Sequence, residues 1–450
     1  MAEEWNGLEE AIEDPEEIRV IFCALDSFGQ YAKNAHLNCT HLRRQAFYAL
    51  PQAHWQMLAA PPFNYLDTLN RVDDAIESNA ELARTIVKMG LHSFGMLDTD
   101  KEAVMPEEWA GIAKCNDLDK ARSTIRQFYR DWSSEGRVER DACYGPVLKA
   151  LEAEKARRLA LASPAGTTAQ IQADAQTPAT PPLRVLVPGA GLGRLVFDLC
   201  RLGYDSEGNE ISYHQLLASS YILNSCDRAG RHTIYPWIHS FSNHRSRANQ
   251  FAAYAIPDVH PQQTLSEATA AGTKIGTMQM CAADFLCLYG DDAHAGMFDA
   301  VATVFFLDTA PNLIRYLEVI RHCLRPGGVL INVGPLLWHW ENHVPGHHGY
   351  DGDGDYDENT SLGIADPGSF ELTDDEVVAL VEKMGFVLES RQSGLRAPYV
   401  QDSQSMLQTV YNASHWIARK PESDQPGTRH GKAGVASDPN AEETAGINKA

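Results

Sequence analysis

The stretch Arg184-Val-Leu-Val-Pro-Gly-Ala-Gly-Leu-Gly-Arg194 constrains this chain most. An apolar strand, Val185 to Val187, runs into a Gly-x-Gly-x-Gly turn, and an apolar-periodic helix follows from Leu195 to Leu202. Glycine belongs there because a Cβ would block close approach of a ligand to the backbone. The helix that starts at the turn offers free N–H groups and a partial positive charge. Glu210 stands 17 residues past Gly193, after the short segment Gly203 to Glu210. An acid at the end of the second strand of a βαβ unit is placed to hold ribose hydroxyls. These features together predict a site for an adenosine-containing cofactor.

Composition narrows the partners. The chain has 450 residues, enough for one large or two ordinary domains with a full core. Its net charge of −22 argues against nucleic acid and against anionic membranes, since both need clustered Lys and Arg. No apolar run nears the ~20 residues that span a bilayer. The N-terminal Met-Ala-Glu-Glu-Trp lacks a basic-then-apolar signal pattern. Nine cysteines are scattered without CxxC pairs; Cys281 and Cys287 are the closest two and have no His at ligand spacing. Such cysteines read as reduced thiols in a cytoplasmic or nuclear protein. In that setting the sequons at Asn38 and Asn412 carry no weight.

Along the chain, an acidic tail (1–15) precedes a helical domain over 16–160. Helices are expected over Glu16 to Lys33, Tyr65 to Met89 and Leu118 to Trp132. An Ala/Pro/Thr-rich linker fills 161–182. Strand and helix signals then alternate from Leu183 to about Leu337, with insertions at 251–275 and 341–368. A helix (Thr373 to Met384), a strand (Phe386 to Arg391) and a longer strand (Met406 to Arg419) follow, then a polar tail over 420–450.

The closing strand pair and the helix end, Pro-Gly-Gly turn and buried strand of Arg321 to Asn332 resemble class I S-adenosylmethionine-dependent methyltransferases. The resemblance covers 183–419. It implies an α/β, Rossmann-like seven-stranded sheet with an antiparallel last strand, joined to the N-terminal helical domain. In such a fold the ligand sits over the C-terminal strand ends. Gly189, Gly191 and Gly193 would lie under the methionine part, and Glu210 would accept both ribose hydroxyls. Asp284 would accept the adenine amino group while Phe285 covers the ring. Asp284 is equally suited to capping the next helix, and the two roles can coexist.

Longer segments are similar to one family within that class, the carnosine N-methyltransferases (the N2227-like group). They are Val187 to Arg194, Gly208 to Glu210, Tyr235-Pro-Trp-Ile-His-Ser-Phe-Ser-Asn243, Phe305-Phe-Leu-Asp-Thr-Ala310, Gly334 to Asn342, Ser123 to Trp132 and Glu139-Arg-Asp-Ala-Cys-Tyr144. The family transfers a methyl group from S-adenosylmethionine to a ring nitrogen of the histidine in carnosine, giving anserine. The resemblance implies that Gln127 and Arg130 reach the cofactor from the helical domain, with Val304 beside it. It implies that Asp308, His339, Tyr399 and Tyr411 hold the imidazole dipeptide, with Asp308 and His339 as catalytic groups. It also implies a homodimer through the helical part. Taken alone, Gln127 and Arg130 would read as a solvated face, and His339 and Tyr411 as packed core.

The chemistry suits these residue types. Methyl transfer from a sulfonium to a neutral nitrogen depends mainly on orientation. Imidazole, with a pKa of about 6.5, is largely neutral near pH 7. Asp308 could accept a hydrogen bond from the non-reacting ring nitrogen and fix the tautomer; His339 could orient the ring or relay the departing proton. Other readings are methylation of protein histidine or another imidazole, an inactive cofactor-binding scaffold, and a nicotinamide dehydrogenase; the last lacks its catalytic domain. The run Asp351 to Glu358 resembles a calcium loop but has Tyr356 at its sixth position and Leu362 at its twelfth. His339, His343, His347 and His348 lack a coherent ligand spacing, so no metal is expected.

Overall fold

The computed structural model describes residues 14–96, 105–162, 181–343, 363 and 368–422. Of the expected segments, residues 1–13 of the acidic tail, 163–180 of the linker over 161–182, 344–362 and 364–367 of the insertion at 341–368 (with the Asp351 to Glu358 run) and 423–450 of the polar tail lie outside the described residues.

The N-terminal part is helical. Its main elements are α1 (Pro15–Gly29), α2 (Tyr65–Ser93), α3 (Cys115–Trp132) and α4 (Arg137–Ala162). Helix α1 starts where the Asp14 side chain accepts the Glu16 N–H and proline occupies the first turn. It ends at Gly29, short of the expected Lys33, and a separate short helix, Tyr31–Ala35, follows. The apolar stripes of α1 (Ile21, Phe22, Leu25, Phe28), α2 (Val72, Ile76, Ile86) and α3 (Ile125, Phe128, Trp132) merge into one buried cluster. That cluster continues into Val185, Val187 and Ile331 of the sheet, so the helical part shares its core with the α/β part.

The α/β part begins with β1 (Arg184–Pro188), α5 (Arg194–Arg201), β2 (Asp205–Glu210) and α6 (Tyr213–Ser220). A small antiparallel pair, β3 (His232–Ile234) and β4 (Tyr254–Ile256), and α7 (Pro261–Ala270) come next. The Pro/Ala/Thr/Gln-rich stretch at 251–275 therefore holds a strand and a helix. The chain continues through β5 (Met278–Ala282), α8 (Phe285–Tyr289), β6 (Phe298–Val304), α9 (Leu313–Cys323) and β7 (Leu324–Gly334). It closes with α10 (Asp374–Lys383), β8 (Val387–Pro398) and β9 (Val410–Arg419).

Seven strands form one sheet in the order β5-β2-β1-β6-β7-β9-β8. The ladders from β5 to β7 are parallel, and β9 runs antiparallel to both β7 and β8. This is the class I methyltransferase sheet, with only the last strand reversed. Val185, Leu186 and Val187 are buried because helices cover both faces of β1. The second face carries its own cluster, built from Leu186, Phe298, Leu313, Leu317, Val377 and Trp416.

Strand β6 stops at Val304, where Phe305 takes φ of 54° and turns the chain out of the sheet. Two strand boundaries differ from expectation. Strand β8 runs to Pro398, past the expected Arg391, because β9 pairs with it along that length. Strand β9 starts at Val410, not Met406, whose N–H bonds to the Asn243 carbonyl at 2.8 Å instead.

Candidate active site

Strand order reverses between β2-β1 and β6-β7, so a crevice opens where β1 and β6 end. The Gly-x-Gly-x-Gly turn forms its floor. Gly189 has φ of 68°, and a Cβ there would come within 2.8 Å of the Phe306 ring. Gly191 has φ of 59°, and a Cβ there would meet only Gln215 Oε1 at an ordinary 3.5 Å, so conformation rather than crowding demands glycine there.

Glu210 closes β2 beside this turn and is buried. Its Oε2 accepts the Gly191 N–H at 2.9 Å, and its Oε1 accepts the Ile211 and Ser212 N–H groups at 2.9 Å each. Burial pushes this carboxyl above its ordinary range, and the three N–H groups offset part of that rise. A carboxylate has about four acceptor directions, so most are already engaged.

Helix α3 is fastened to the same turn. Trp132 Nε1 donates to the Leu192 carbonyl at 3.0 Å. The Arg194 guanidinium, last in the glycine segment, donates to the Asp131 carbonyl at 3.0 Å and to Asp258 at 2.6 Å. Arg130 consequently faces the crevice with Gly189, Val304 and Phe305. Its guanidinium forms a two-point pair with Asp131, at 2.8 and 3.0 Å, and lies 5.1 Å from the Tyr399 ring centroid. Asp131 also accepts the Tyr144 hydroxyl at 3.0 Å. Gln127, one turn earlier, is half-buried.

Glu210 pairs with Ala282 across β2 and β5, which puts Asp284 at the same edge. Asp284 caps α8, its Oδ1 accepting the Leu286 and Cys287 N–H groups at 2.8 and 3.2 Å. Its carboxyl also abuts Gly363, where a Cβ would lie 2.5 Å from Oδ2. Phe285 is buried against Phe306 and Tyr316, with both centroids at 5.4 Å. Its ring therefore supports the crevice from below.

The other wall comes from β6, β7, β8 and β9. Strand β9 is reversed, so its first residues lie at the edge where the parallel strands end. Tyr411 stands there, opposite Ala397 of β8, and Tyr399 follows the end of β8. The Phe305 ring lies 5.2 Å from Tyr399 and 5.7 Å from Tyr411. Asp308 sits in a 3-10 turn, Leu307–Thr309, and is 2% exposed. Its Oδ2 accepts the Leu337 N–H at 2.9 Å, and its carbonyl accepts the His339 N–H at 3.0 Å. Burial raises the Asp308 carboxyl; the Leu337 N–H and the charge of His339 pull it back. Burial, then the charges of Tyr399 and Asp308, raise the Tyr411 phenol. His339 is exposed at the rim. The flanking indoles are pinned: Trp338 donates to the Leu372 carbonyl at 3.0 Å and Trp340 to that of Thr309 at 2.9 Å.

Sequence reasoning had assigned no site role to Phe305, Glu139, Cys143 or Tyr144, all of which line the crevice. The available signal was their presence in the segments Glu139 to Tyr144 and Phe305 to Ala310. Among the described residues, no group of three or more His, Cys, Asp and Glu could hold a metal ion. Among them also, no helix is long and apolar enough to cross a membrane.

A family model described as Carnosine N-methyltransferase matches residues 107–422. This chain belongs to the carnosine N-methyltransferase family. It is 32% identical to the carnosine N-methyltransferase of Mus musculus over 401 residues, 88% of this chain and 85% of that one. It is 33% identical to that of Schizosaccharomyces pombe over 414 residues, 91% of this chain and 98% of that one. Membership makes the chain an enzyme of the methyltransferase class. The match takes in α3, the glycine turn, the strand-end wall and β9, which are the elements that build the crevice.

Proposed function

We propose that this enzyme methylates a ring nitrogen of the histidine in carnosine, giving anserine, with S-adenosylmethionine as methyl donor. The observation that carries the reading is a buried carboxylate, Asp308, three residues past Phe305, whose ring packs against the Tyr399 and Tyr411 pair at the strand edge next to the glycine turn. The residues suit the cofactor. The turn presents three glycines of positive φ, which carry no side chain, and Glu210 and Asp284 supply acceptors at adjacent strand ends. Gly189, Gly191 and Gly193 would hold the methionine part, Glu210 the ribose and Asp284 the adenine amino group. Gln127, Arg130, Phe285 and Val304 would complete that site. When bound, the sulfonium supplies an electrophilic methyl group.

Asp308, His339, Tyr399 and Tyr411 take the dipeptide in this reading. The Asp308 carboxylate accepts the N–H of the non-reacting ring nitrogen. That bond holds the imidazole in one tautomer, leaves the other nitrogen unprotonated, and stabilises the imidazolium as it forms. The Tyr399 and Tyr411 rings, with Phe305, confine the imidazole plane. The methylated imidazolium gives up that same N–H proton to the Asp308 carboxylate, and His339, at the exposed rim, orients the ring or relays the proton to solvent. Orientation of this kind supplies up to roughly 7–11 kcal/mol in favourable cases.

The expected homodimer has apolar surface available in the helical part. The helix Gln52–Ala59 has no buried residue, and Tyr48, Met57 and Phe63 beside or on it are 57%, 63% and 54% exposed. All nine cysteines are free, which suits a reducing compartment such as the cytoplasm or nucleus.

Incubation with methyl-labelled S-adenosylmethionine and carnosine, homocarnosine, free histidine or a histidine-containing protein pool tests the reading. Label on the carnosine ring is the expected result. Label on the protein pool alone would replace the substrate, and no label with cofactor bound would make the chain a scaffold.

A further inference from the structure

The segment Glu139 to Tyr144 contains a buried carboxylate that the proposed chemistry leaves unused. Glu139 stands in the first turn of α4 and is 3% exposed. Its Oε2 accepts the Val400 N–H at 2.6 Å and its Oε1 accepts the Gln401 N–H at 2.7 Å. The Val400 carbonyl accepts Arg126 Nη2 of α3 at 2.8 Å. Both main-chain polar groups of Val400 are thus held by charged side chains from the helical part.

Val400 needs that hold. Its φ is 43°, a left-handed conformation that a β-branched residue strongly resists. The turn it makes sets the direction of Tyr399, whose ring stacks near Phe305 at 5.2 Å and under Arg130 at 5.1 Å. Without the two partners, Val400 would relax toward a negative φ and Tyr399 would swing out of the aromatic wall.

We propose that Glu139, assisted by Arg126, is a positioning residue for the dipeptide site, acting through the Val400 peptide on Tyr399. The inference rests on the reading that Tyr399 contacts the substrate. It assigns Glu139 no contact with either ligand. Burial raises the Glu139 carboxyl, and the Gln401 and Val400 N–H groups offset part of that rise. The arrangement also makes the substrate wall depend on the docking of α3 and α4, the same helices that bring Arg130 to the crevice.

The test uses the full chain. Carnosine binding is measured by calorimetry on the complex with S-adenosylhomocysteine, alongside kcat, KM and the melting temperature. Glu139→Gln keeps the shape but can accept only one of the two N–H groups. Carnosine Kd and KM should weaken roughly tenfold, with S-adenosylhomocysteine Kd within about twofold. The double variant E139Q/V400G should recover most of that loss, because glycine holds the positive φ without help. Were Glu139→Gln too unstable to study, Arg126→Met should give a smaller loss in the same direction. Carnosine affinity within about twofold of wild type, equal weakening of both ligands, or no recovery with glycine at 400 would overturn the proposal. Tyr399→Ala separates the two levels. If it weakens carnosine binding and the Glu139 and Arg126 variants do not, only this inference fails. If it leaves carnosine binding intact, the placement of Tyr399 at the substrate fails with it.

Discussion

The Trp132 indole N–H donates to the Leu192 carbonyl at 3.0 Å, and both residues are fully buried. This single bond joins the end of α3 to the middle of the glycine turn. Trp132→Phe keeps most of the ring and removes the donor, leaving a buried carbonyl without a partner. The expected cost is about 1–3 kcal/mol of stability, read from denaturant unfolding. The turn should also loosen, so S-adenosylmethionine affinity should fall in parallel. A variant with unchanged affinity would show that the helix and the turn are energetically separate.

Glu210 organises the turn through three backbone N–H groups, including that of Gly191. Glu210→Gln replaces one oxygen with a donor that would face N–H groups. Cofactor affinity should drop roughly 10- to 100-fold, from the ~1.5–3 kcal/mol of hydrogen bonds to a charged group. Calorimetric titration with S-adenosylhomocysteine measures this directly. At saturating cofactor, kcat should suffer much less, because the proposed reading puts Glu210 at the ribose and away from the reacting atoms.

Asp308→Asn should separate function from stability. The Asn oxygen can still accept the Leu337 N–H, while a buried charge disappears. Turnover should fall at least about 100-fold, because the amide cannot stabilise the forming imidazolium. Cofactor affinity should stay within about twofold and the melting temperature should not fall. Near-normal turnover would remove Asp308 from the mechanism.

Glu154 ties α4 to the end of the sheet. Its carboxylate meets Arg157 at 2.8 Å, Arg158 at 2.5 Å and Arg419 of β9 at 2.9 Å. Burial pushes the carboxyl up, but hydrogen bonds from Arg157, Arg419 and Arg158 outweigh it and bring it to about 2. A folded value below the unfolded one gives stability that is complete above the unfolded pKa of about 4.5 and lost as pH falls through about 2. Glu154→Gln should cost about 3 kcal/mol at pH 7, because Arg157 loses its paired carboxylate while Arg158 and Arg419 are left with only Asp299 and Glu389. Its acid unfolding should lack the steep loss below pH 4.5. Equal acid profiles for variant and wild type would rule out this role.

The glycine turn, the position of Glu210 and the alternation of strands and helices were legible because each is a local pattern: a period, a turn residue, a fixed spacing; the order of strands in the sheet came from the family resemblance. Phe305 was not, since its positive φ arises where β6 leaves the sheet and no residue preference announces it for a phenylalanine. The packing of Phe285 against Phe306 and Tyr316 was not legible either, because these partners lie 21 and 31 residues away in the chain. The contacts Trp132 to Leu192 and Glu139 to Val400 span 60 and 261 residues of sequence. No periodicity encodes such pairs. The segments that contain them were visible as family likeness, and only the fold shows what each side chain holds.

The pH profile of turnover distinguishes two protons. Free carnosine should be nucleophilic only with its imidazole neutral, so kcat/KM should fall below about pH 6.5 with a slope of one. Asp308 adds a second limb, since burial raises its carboxyl and it must be ionised to accept the ring N–H. The sign follows from that rise. The folded protein binds this proton more readily than the unfolded chain, so Asp308 favours the fold in its protonated form and opposes it once ionised. Activity and stability should therefore diverge: as pH falls through the Asp308 value, turnover steepens toward a slope of two while the Asp308 contribution to stability improves. Initial rates with labelled methyl donor from pH 4.5 to 8 measure both limbs. In Asp308→Asn the residual rate should keep the imidazole limb and lose the second. A wild-type profile with one limb only, unchanged in the variant, would show that the carboxylate does not take part in holding the substrate ring.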